Sequence, residues 1–493
     1  MSAARNDVFR RRTGVLLHPT SLPGASGVGG LGREARHFVD WLVQAGVSVW
    51  QVLPLVPPGA GDSPYSSPSA FAGNALMVDL ETLQHDGLLS VEEAADRVPA
   101  SERVNFAAVR AFKLERLGRA AARLSADALA AYRAQAPWVD AYALFEAVSR
   151  AHHGQPWWTW PAALRDFEPS AVESARAHLR SAIDRVVGEQ LLFDRQWRAL
   201  RAYAHERGVL IMGDMPIYVD ANSADVWAHQ AMFQLAPDGS RPVVSGVPPD
   251  AFSDLGQLWG NPLYDWSRMA QDGYAWWVAR VRRVLELTDM VRIDHFRAFA
   301  AYWEVPGDAL DARGGRWVQG PGRAVFDALR AALGPLPIVA EDLGVIDEPV
   351  RELLAATGLP GMKILQFAFG DGPANPYLPH NHVPNSVVYT GTHDNETTLG
   401  WWLGTHERVR DRVRRYYGIS GNDVVWDLVR SALESVACLA IVPMQDVLTL
   451  DNGARMNTPS VAEGNWGWRL RAGDLRDDVA SRLRGLSEQY GRT

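Results

Sequence analysis

Eight short apolar runs, most of them followed within a few residues by Pro, Gly, Asp, His or Gln, constrain the fold of this chain more than any other feature. They are Gly14–His18, Val47–Leu55, Val209–Met212, Met290–Ile293, Ile338–Ala340, Met362–Phe367, Val387–Tyr389 and Leu439–Pro443. Helix-compatible sequence separates most of them. Eight strand–helix alternations predict an α/β fold of the (β/α)8 TIM-barrel kind rather than an open sheet. The spacing is uneven. About 150 residues, Val56–Gly208, lie between the second and third runs, and stretches such as Val104–Leu124 and Ala175–Ala204 are Ala/Arg/Leu-rich with helical periodicity. They predict a mainly helical insertion, 56–208, within one catalytic barrel domain spanning 1–493. A second insertion is expected over 218–289, with a Pro/Gly/Trp-rich centre at Val247–Pro262 and a substrate-covering loop, Gly246–Pro262, which is expected to fold over a groove opposite a second covering segment, Thr449–Trp468 with Asn457, Asn465 and Trp466.

Composition narrows the class. With 49 Lys+Arg against 57 Asp+Glu, the net charge of −8 offers no basic field for nucleic acid. Met1–Arg12 is polar and basic with no apolar stretch after it, so no signal peptide is expected, and no apolar run reaches the roughly 20 residues of a membrane span. A single cysteine, Cys438, rules out an intrachain disulfide and a multi-Cys zinc site. A soluble cytoplasmic protein, without a membrane partner, is the expectation. Nineteen tryptophans stand out. Many must pack the core, but flat amphipathic rings also suit sugar faces.

The ends of the runs, in order, present His18, Pro54, Asp214, Asp294, Glu341, Gln366, His393–Asp394 and Gln445–Asp446. In a barrel these ends share the C-terminal mouth, where such enzymes place their sites. One polar strand end is commonly a turn former or helix cap. That explanation weakens when nearly every strand ends so. Cleavage of a glycoside with retention needs one carboxylate as nucleophile and one carboxylic acid to protonate the departing oxygen. Asp294 and Glu341 lie 47 residues apart, about one strand–helix–strand step, hence on adjacent strands. Arg292, two residues before Asp294, faces the same side and would hold it ionised. Glu341 must keep its proton near neutral pH, which a partly desolvated place near other carboxylates favours. Asp394 would hydrogen-bond sugar hydroxyls and stabilise an oxocarbenium-like transition state.

Two motifs point elsewhere and are set aside. Gly27-Val28-Gly29-Gly30-Leu31-Gly32 matches G-x-G-x-x-G, but it begins nine residues after His18 rather than at a strand end, and the next strand ends in Pro54 instead of an acid. His152-His153, near Trp157, Trp158 and Trp160, lacks accompanying metal-ligand spacing, so surface histidines beside an aromatic patch are expected.

Taken together, the motifs resemble those of the amylomaltases, or disproportionating enzymes: the 4-α-glucanotransferases of glycoside hydrolase family 77. The resemblance rests on His18-Pro19-Thr20-Ser21-Leu22, Ser63-Pro64-Tyr65, Gly213–Val219, Pro248-Pro249-Asp250, Gly260–Tyr264, the three acidic segments, Arg455-Met456-Asn457 and Gly464-Asn465-Trp466, almost end to end. It implies an α-amylase-related barrel without the C-terminal β-domain. It also implies transfer of α-1,4-glucan segments from a donor maltodextrin to glucose or a maltodextrin through a covalent β-glycosyl-enzyme. Family roles fall on Asp294 as nucleophile, Glu341 as acid/base and Asp394 as transition-state stabiliser. Tyr65, Asp214, Trp259, Arg292, His295, His393 and Asn465 are expected to bind substrate. No metal and no organic cofactor are implied, and the expected partners are α-1,4-glucans of starch or glycogen origin, the protein itself being a monomer or weak homodimer. Departures such as Ala251, Ala298 and Ser460 bear on loop shape, not on an acid. The alternatives are an α-1,4-glucan hydrolase, in which water replaces the acceptor, and an inactive glucan-binding protein. Survival of all three acids with Arg292 and His393 argues against the latter.

Overall fold

The structure is a computed structural model that describes residues 8–95, 98, 101–249, 253–344 and 346–493. Among these described residues twelve strands fall into two sheets. Eight close a parallel barrel in the order β1 (Arg12–Leu16), β12 (Leu439–Pro443), β11 (Ser386–Tyr389), β10 (Gly361–Ile364), β9 (Ile338–Ala340), β6 (Met290–Asp294), β3 (Leu210–Pro216) and β2 (Val49–Gln51), with β2 returning to β1. These are the eight runs expected from the sequence. Every residue of β1, β11 and β12 is buried, because side chains fill the barrel on one face and helices cover the other. Helix Arg33–Gln44 shows how the cover works: Ala35, Phe38, Val39, Trp41 and Leu42 are buried on one stripe. Glycine at position 14 allows close packing of β1, since a Cβ there would stand 2.3 Å from Ile441 Cδ1 and 3.2 Å from the Val49 carbonyl oxygen.

Between β2 and β3 the chain runs through helices that include Phe106–Ala122, Val139–Ala151 and the long Arg180–Glu206. The last is pinned to the barrel-covering helix Ala275–Leu287 by a buried ion pair, Arg283 Nη2 to Asp194 Oδ1 at 2.6 Å. Arg283 Nε donates to the Phe71 carbonyl and Tyr132 Oη to Asp194 Oδ2, which satisfies the pair's remaining groups.

The sequence reading did not foresee the second sheet. It is antiparallel, in the order β5 (Gln257–Pro262), β4 (Val243–Val247), β7 (Ala301–Pro306) and β8 (Arg316–Gln319). The stretch expected as a covering loop, Gly246–Pro262, therefore includes the end of β4 and the whole of β5, paired as a hairpin. The excursion after β6, 301–319, builds the other half of the sheet, beyond the 218–289 segment. Asp250, Ala251 and Phe252 lie outside the described residues. After β12 the chain continues through short helical turns to helix Asp477–Gln489, with no β-domain among the described residues.

Candidate active site

The site is built where β3, β6, β9 and β11 end. Strand register sets Asp214 beside Arg292 and Pro216 beside Asp294, and Ile293 beside Ala340. Arg292 and Asp294 share a face of β6 because strand side chains alternate. The guanidinium spans two acids: Nη1 donates to both Asp214 oxygens at 2.9 and 2.8 Å, and Nη2 to Asp294 Oδ1 at 2.5 Å. Arg292 and Asp214 are almost wholly buried, while 30 % of the Asp294 side chain is exposed, toward the groove that it lines. One carboxylate is thus sealed below the arginine and the other presented to ligand. Tyr65 Oη donates to Asp214 Oδ2 at 2.8 Å. Asp214 therefore anchors Arg292 and Tyr65 and has little capacity left for a sugar hydroxyl.

Glu341 follows β9 directly, and its backbone is locked to the end of β6: its N–H donates to the Ile293 carbonyl and its own carbonyl accepts from Phe296 N–H. The side chain accepts from His295 N–H at 2.7 Å and Leu343 N–H at 2.8 Å. His295 reaches that position in a left-handed conformation, φ 55°. Burial first, and then the Asp294 charge, raise the Glu341 pKa to about 8, outweighing the Arg292 cation and the two backbone donors. Glu341 therefore holds its proton at neutral pH.

Asp394 lines the same groove as Asp294. Asn457 Nδ2 donates to its Oδ1 at 2.6 Å, and His393 Nε2 lies 3.3 Å from its Oδ2. Arg455 ties the same segment together by donating to the Asp394 and Asn457 carbonyls. The His393 ring stacks on Tyr65, centroids 5.2 Å apart with 9° between planes, and Trp466 packs against both. Beneath them His18 is buried, and burial together with the neighbouring His393 lowers its pKa to about 3, so it stays neutral.

These groups open on a groove of about 880 Å³, walled by Gly256–Asn261 on one side and Asn457–Ser460 with Trp466 on the other. Trp259, 37 % exposed, meets the His295 ring edge-on at 4.7 Å. Of the residues singled out by sequence, Tyr65, Trp259, Asp294, His295, His393, Asp394 and Asn465 line the groove, with Asp214, Arg292 and Glu341 set below or beside it. The Asn465 amide is engaged within its own loop, accepting from Thr458 N–H and donating to the Val461 carbonyl. Sequence reasoning placed Asn457 in a covering segment but missed its direct bond to Asp394; it named Arg455 and Trp158 without a place at the site, and it missed Arg241. Trp158 and Arg241 line the groove wall, the guanidinium 5.2 Å from the ring centroid. The Arg-Met-Asn triplet carried a signal for the first two; nothing local marked the others.

The two set-aside motifs have structural roles. A Cβ at Gly29 would stand 1.9 Å from the Pro19 carbonyl oxygen and one at Gly32 2.4 Å from the Asp79 carboxyl carbon, so these glycines allow close packing. Trp157 and Trp160 near His152-His153 are core residues. Among the described residues no group of three or more His, Cys, Asp or Glu could hold a metal ion. Gln366 and Asp446, also strand-end residues, pin neighbouring loops: Gln366 donates to the Glu396 carbonyl and Asp446 accepts from Thr390 and Thr398.

A barrel mouth that sets an arginine-paired aspartate beside a carboxyl held protonated is a site of the class that breaks and re-forms glycosidic bonds. The family model described as 4-alpha-glucanotransferase matches residues 17–475, and the chain belongs to that family. The 4-alpha-glucanotransferase of Thermus thermophilus is 47% identical over 97% of this chain and 98% of its own length. The chloroplastic/amyloplastic 4-alpha-glucanotransferase DPE1 of Arabidopsis thaliana is 47% identical over 98% of this chain and 86% of its own. An amylomaltase from Streptococcus agalactiae, solved in complex with acarbose, superposes with a TM-score of 0.95 at 37% identity, covering 98% of this chain and 100% of that one. Among the described residues no helix is long and apolar enough to cross a membrane.

Proposed function

We propose that this 4-α-glucanotransferase moves α-1,4-glucan segments by double displacement, with Asp294 as nucleophile and Glu341 as acid and then base. The observation that carries the assignment is the contrast between the two carboxyls: Asp294, partly exposed and bonded to Arg292, beside Glu341, buried and protonated. In the first half-reaction an Asp294 oxygen attacks the anomeric carbon as Glu341 gives its proton to the departing glycosidic oxygen. Loss of that proton leaves Glu341 as the base that takes one from the acceptor hydroxyl when it attacks the glycosyl–Asp294 ester. Asp394, oriented by Asn457 and His393, accepts hydrogen bonds from sugar hydroxyls as positive charge develops at the anomeric carbon. Tyr65 offers a ring face at the cleavage point, and Trp259 with His295 walls the groove.

In this reading residues 1–493 form one catalytic domain, with 56–208 and 218–289 as insertions; the donors are maltodextrins and amylose, and the acceptor is glucose or another maltodextrin. Transfer over hydrolysis requires that sugar, not water at about 55 M, reach the intermediate. The two groove walls, Gly256–Asn261 and Asn457–Trp466, support this by enclosing an acceptor beside Asp294. Incubation with maltotriose tests the reading: longer maltodextrins should appear together with glucose, whereas glucose and maltose without longer products would indicate hydrolysis.

A further inference from the structure

Of the 49 basic residues other than histidine, only two, Lys113 and Lys363, are lysines. Lys113 is on helix Phe106–Ala122 and only 1% exposed, yet among the described residues its ammonium has no hydrogen-bond or ion-pair partner. It lies at a cleft of about 290 Å³ that shares no lining residue with the catalytic groove. Its lining also includes Gly30 and Gly32 of the glycine-rich stretch, together with Asp79, Glu81 and Gln84. Desolvation lowers the Lys113 pKa to about 8, the effect of an ammonium held out of bulk water.

The charges around the cleft define what it would accept. Arg33, at the rim, is paired with Glu34. Asp79 stands against Gly32, the residue that opens helix Arg33–Gln44, so the position an anion would take at that helix end already holds a carboxylate. Asp79 Oδ1 takes both hydrogen bonds from Thr82, leaving Oδ2 without a donor among the described residues. No ion pair joins Asp79 to Lys113, so the cleft presents a strong donor and a strong acceptor that do not satisfy each other. A phosphate would meet Asp79 and Glu81; a cation would meet Lys113. A neutral ligand with neighbouring hydroxyls suits both, accepting from the ammonium through one oxygen and donating to the carboxylate through another.

We propose that this cleft is a second, non-catalytic site for a small polyol, a monosaccharide such as glucose, held between Lys113 and Asp79 with Gln84 at the rim. The choice of glucose rests on the proposed transfer reaction, which releases and consumes it; the choice of a neutral hydroxylated ligand rests on the cleft alone. The volume suits one or two sugar rings, and no aromatic side chain is present to stack a longer glucan.

Having two lysines makes the test direct. Protein grown with lysine labelled at Cε and Nζ should give two side-chain NMR signals, and Lys113→Met assigns them. Lys363, 4.0 Å from Asp342 in the barrel, is the internal reference. Titration with glucose should move the Lys113 signal to saturation, with inorganic phosphate at matched ionic strength giving no saturable shift. Asp79→Asn should weaken glucose binding about tenfold and Gln84→Ala about threefold; the half-buried Gln84, which caps no helix, preserves the test if the cap substitution prevents folding. A Lys113 signal unmoved by glucose, meaning a cleft that holds water only, or one that saturates with phosphate instead, would overturn the proposal. Because no glycosidic bond is cleaved, the outcome is independent of whether Asp294 and Glu341 act as proposed.

Discussion

Replacing Glu341 by Gln should separate two consequences of the same buried carboxyl. The variant keeps the shape but has no transferable proton, so transfer from maltotriose should fall by about 10²–10⁴-fold or more. Its stability should change in the opposite sense as pH rises. The folded-state pKa of Glu341 is raised, from the ordinary 4.5 to about 8, by burial and the Asp294 charge. Between those values the folded protein binds a proton that the unfolded chain has released, so the wild type loses stability as pH climbs through this window while Gln does not titrate. At about 1.4 kcal/mol per pH, the full window amounts to at most about 5 kcal/mol. For a chain of 493 residues, an unfolding entropy of about 2 cal/mol/K per residue converts this to about 5 °C in Tm. Glu341 also accepts from His295 and Leu343 N–H, and an amide can present only one oxygen to them. That loss, about 1–3 kcal/mol, is independent of pH, so the readout is the slope rather than the absolute difference. Thermal unfolding of both proteins from about pH 5 to about pH 9 should show the variant gaining on the wild type by several degrees. Parallel pH profiles would refute the argument that Glu341 is protonated in the fold.

The remaining expectations concern other parts of the molecule. The kcat/KM for a maltodextrin donor should fall about tenfold per pH above about 8, as Glu341 loses the proton needed for the first step; a flat profile to pH 10 would remove it as the acid. Asp194→Ala should lower stability by about 3–5 kcal/mol, because it leaves Arg283 buried without its counter-charge; urea unfolding measures the loss, and a change below about 1 kcal/mol would mean the helix is not held by this pair. Trp259→Ala should raise free reducing ends formed per transfer event as well as lower the rate, by opening the wall beside His295. An unchanged ratio would limit Trp259 to shaping the groove.

How much of this was legible in the sequence depended on whether local pattern or long-range contact carries the information. The barrel was legible because its strands are short apolar runs, and the acids because they follow those runs directly, as Glu341 follows Ala340. The antiparallel sheet was not. Its strands include glycines, prolines and exposed residues, as in Gln257–Pro262, where Leu258 and Trp259 are both exposed, so neither alternation nor an apolar run marks them. The pairing of Asn457 with Asp394 crosses 63 residues and comes from a segment that reads as loop. Asn465 lines the groove, but its bonds were not legible either. Its type and place suggested a sugar contact, but both ends of its amide are engaged within the 458–465 loop. Nor were the bonds of Asp214 legible: an acid at a strand end gives no sign of the buried Arg292 and the Tyr65 hydroxyl that are bonded to it.

The central claim, that glucan is carried on Asp294, is tested most directly by trapping the intermediate. A glucosyl donor with a leaving group that needs no protonation can still glycosylate the Glu341→Gln protein, but no base then assists acceptor attack, so the ester should accumulate. Mass spectrometry of the digested protein should find the sugar on the peptide containing Asp294, and the adduct should disappear in Glu341→Gln/Asp294→Asn. Donor consumed with no adduct, or a sugar carried on any other residue, would contradict the account.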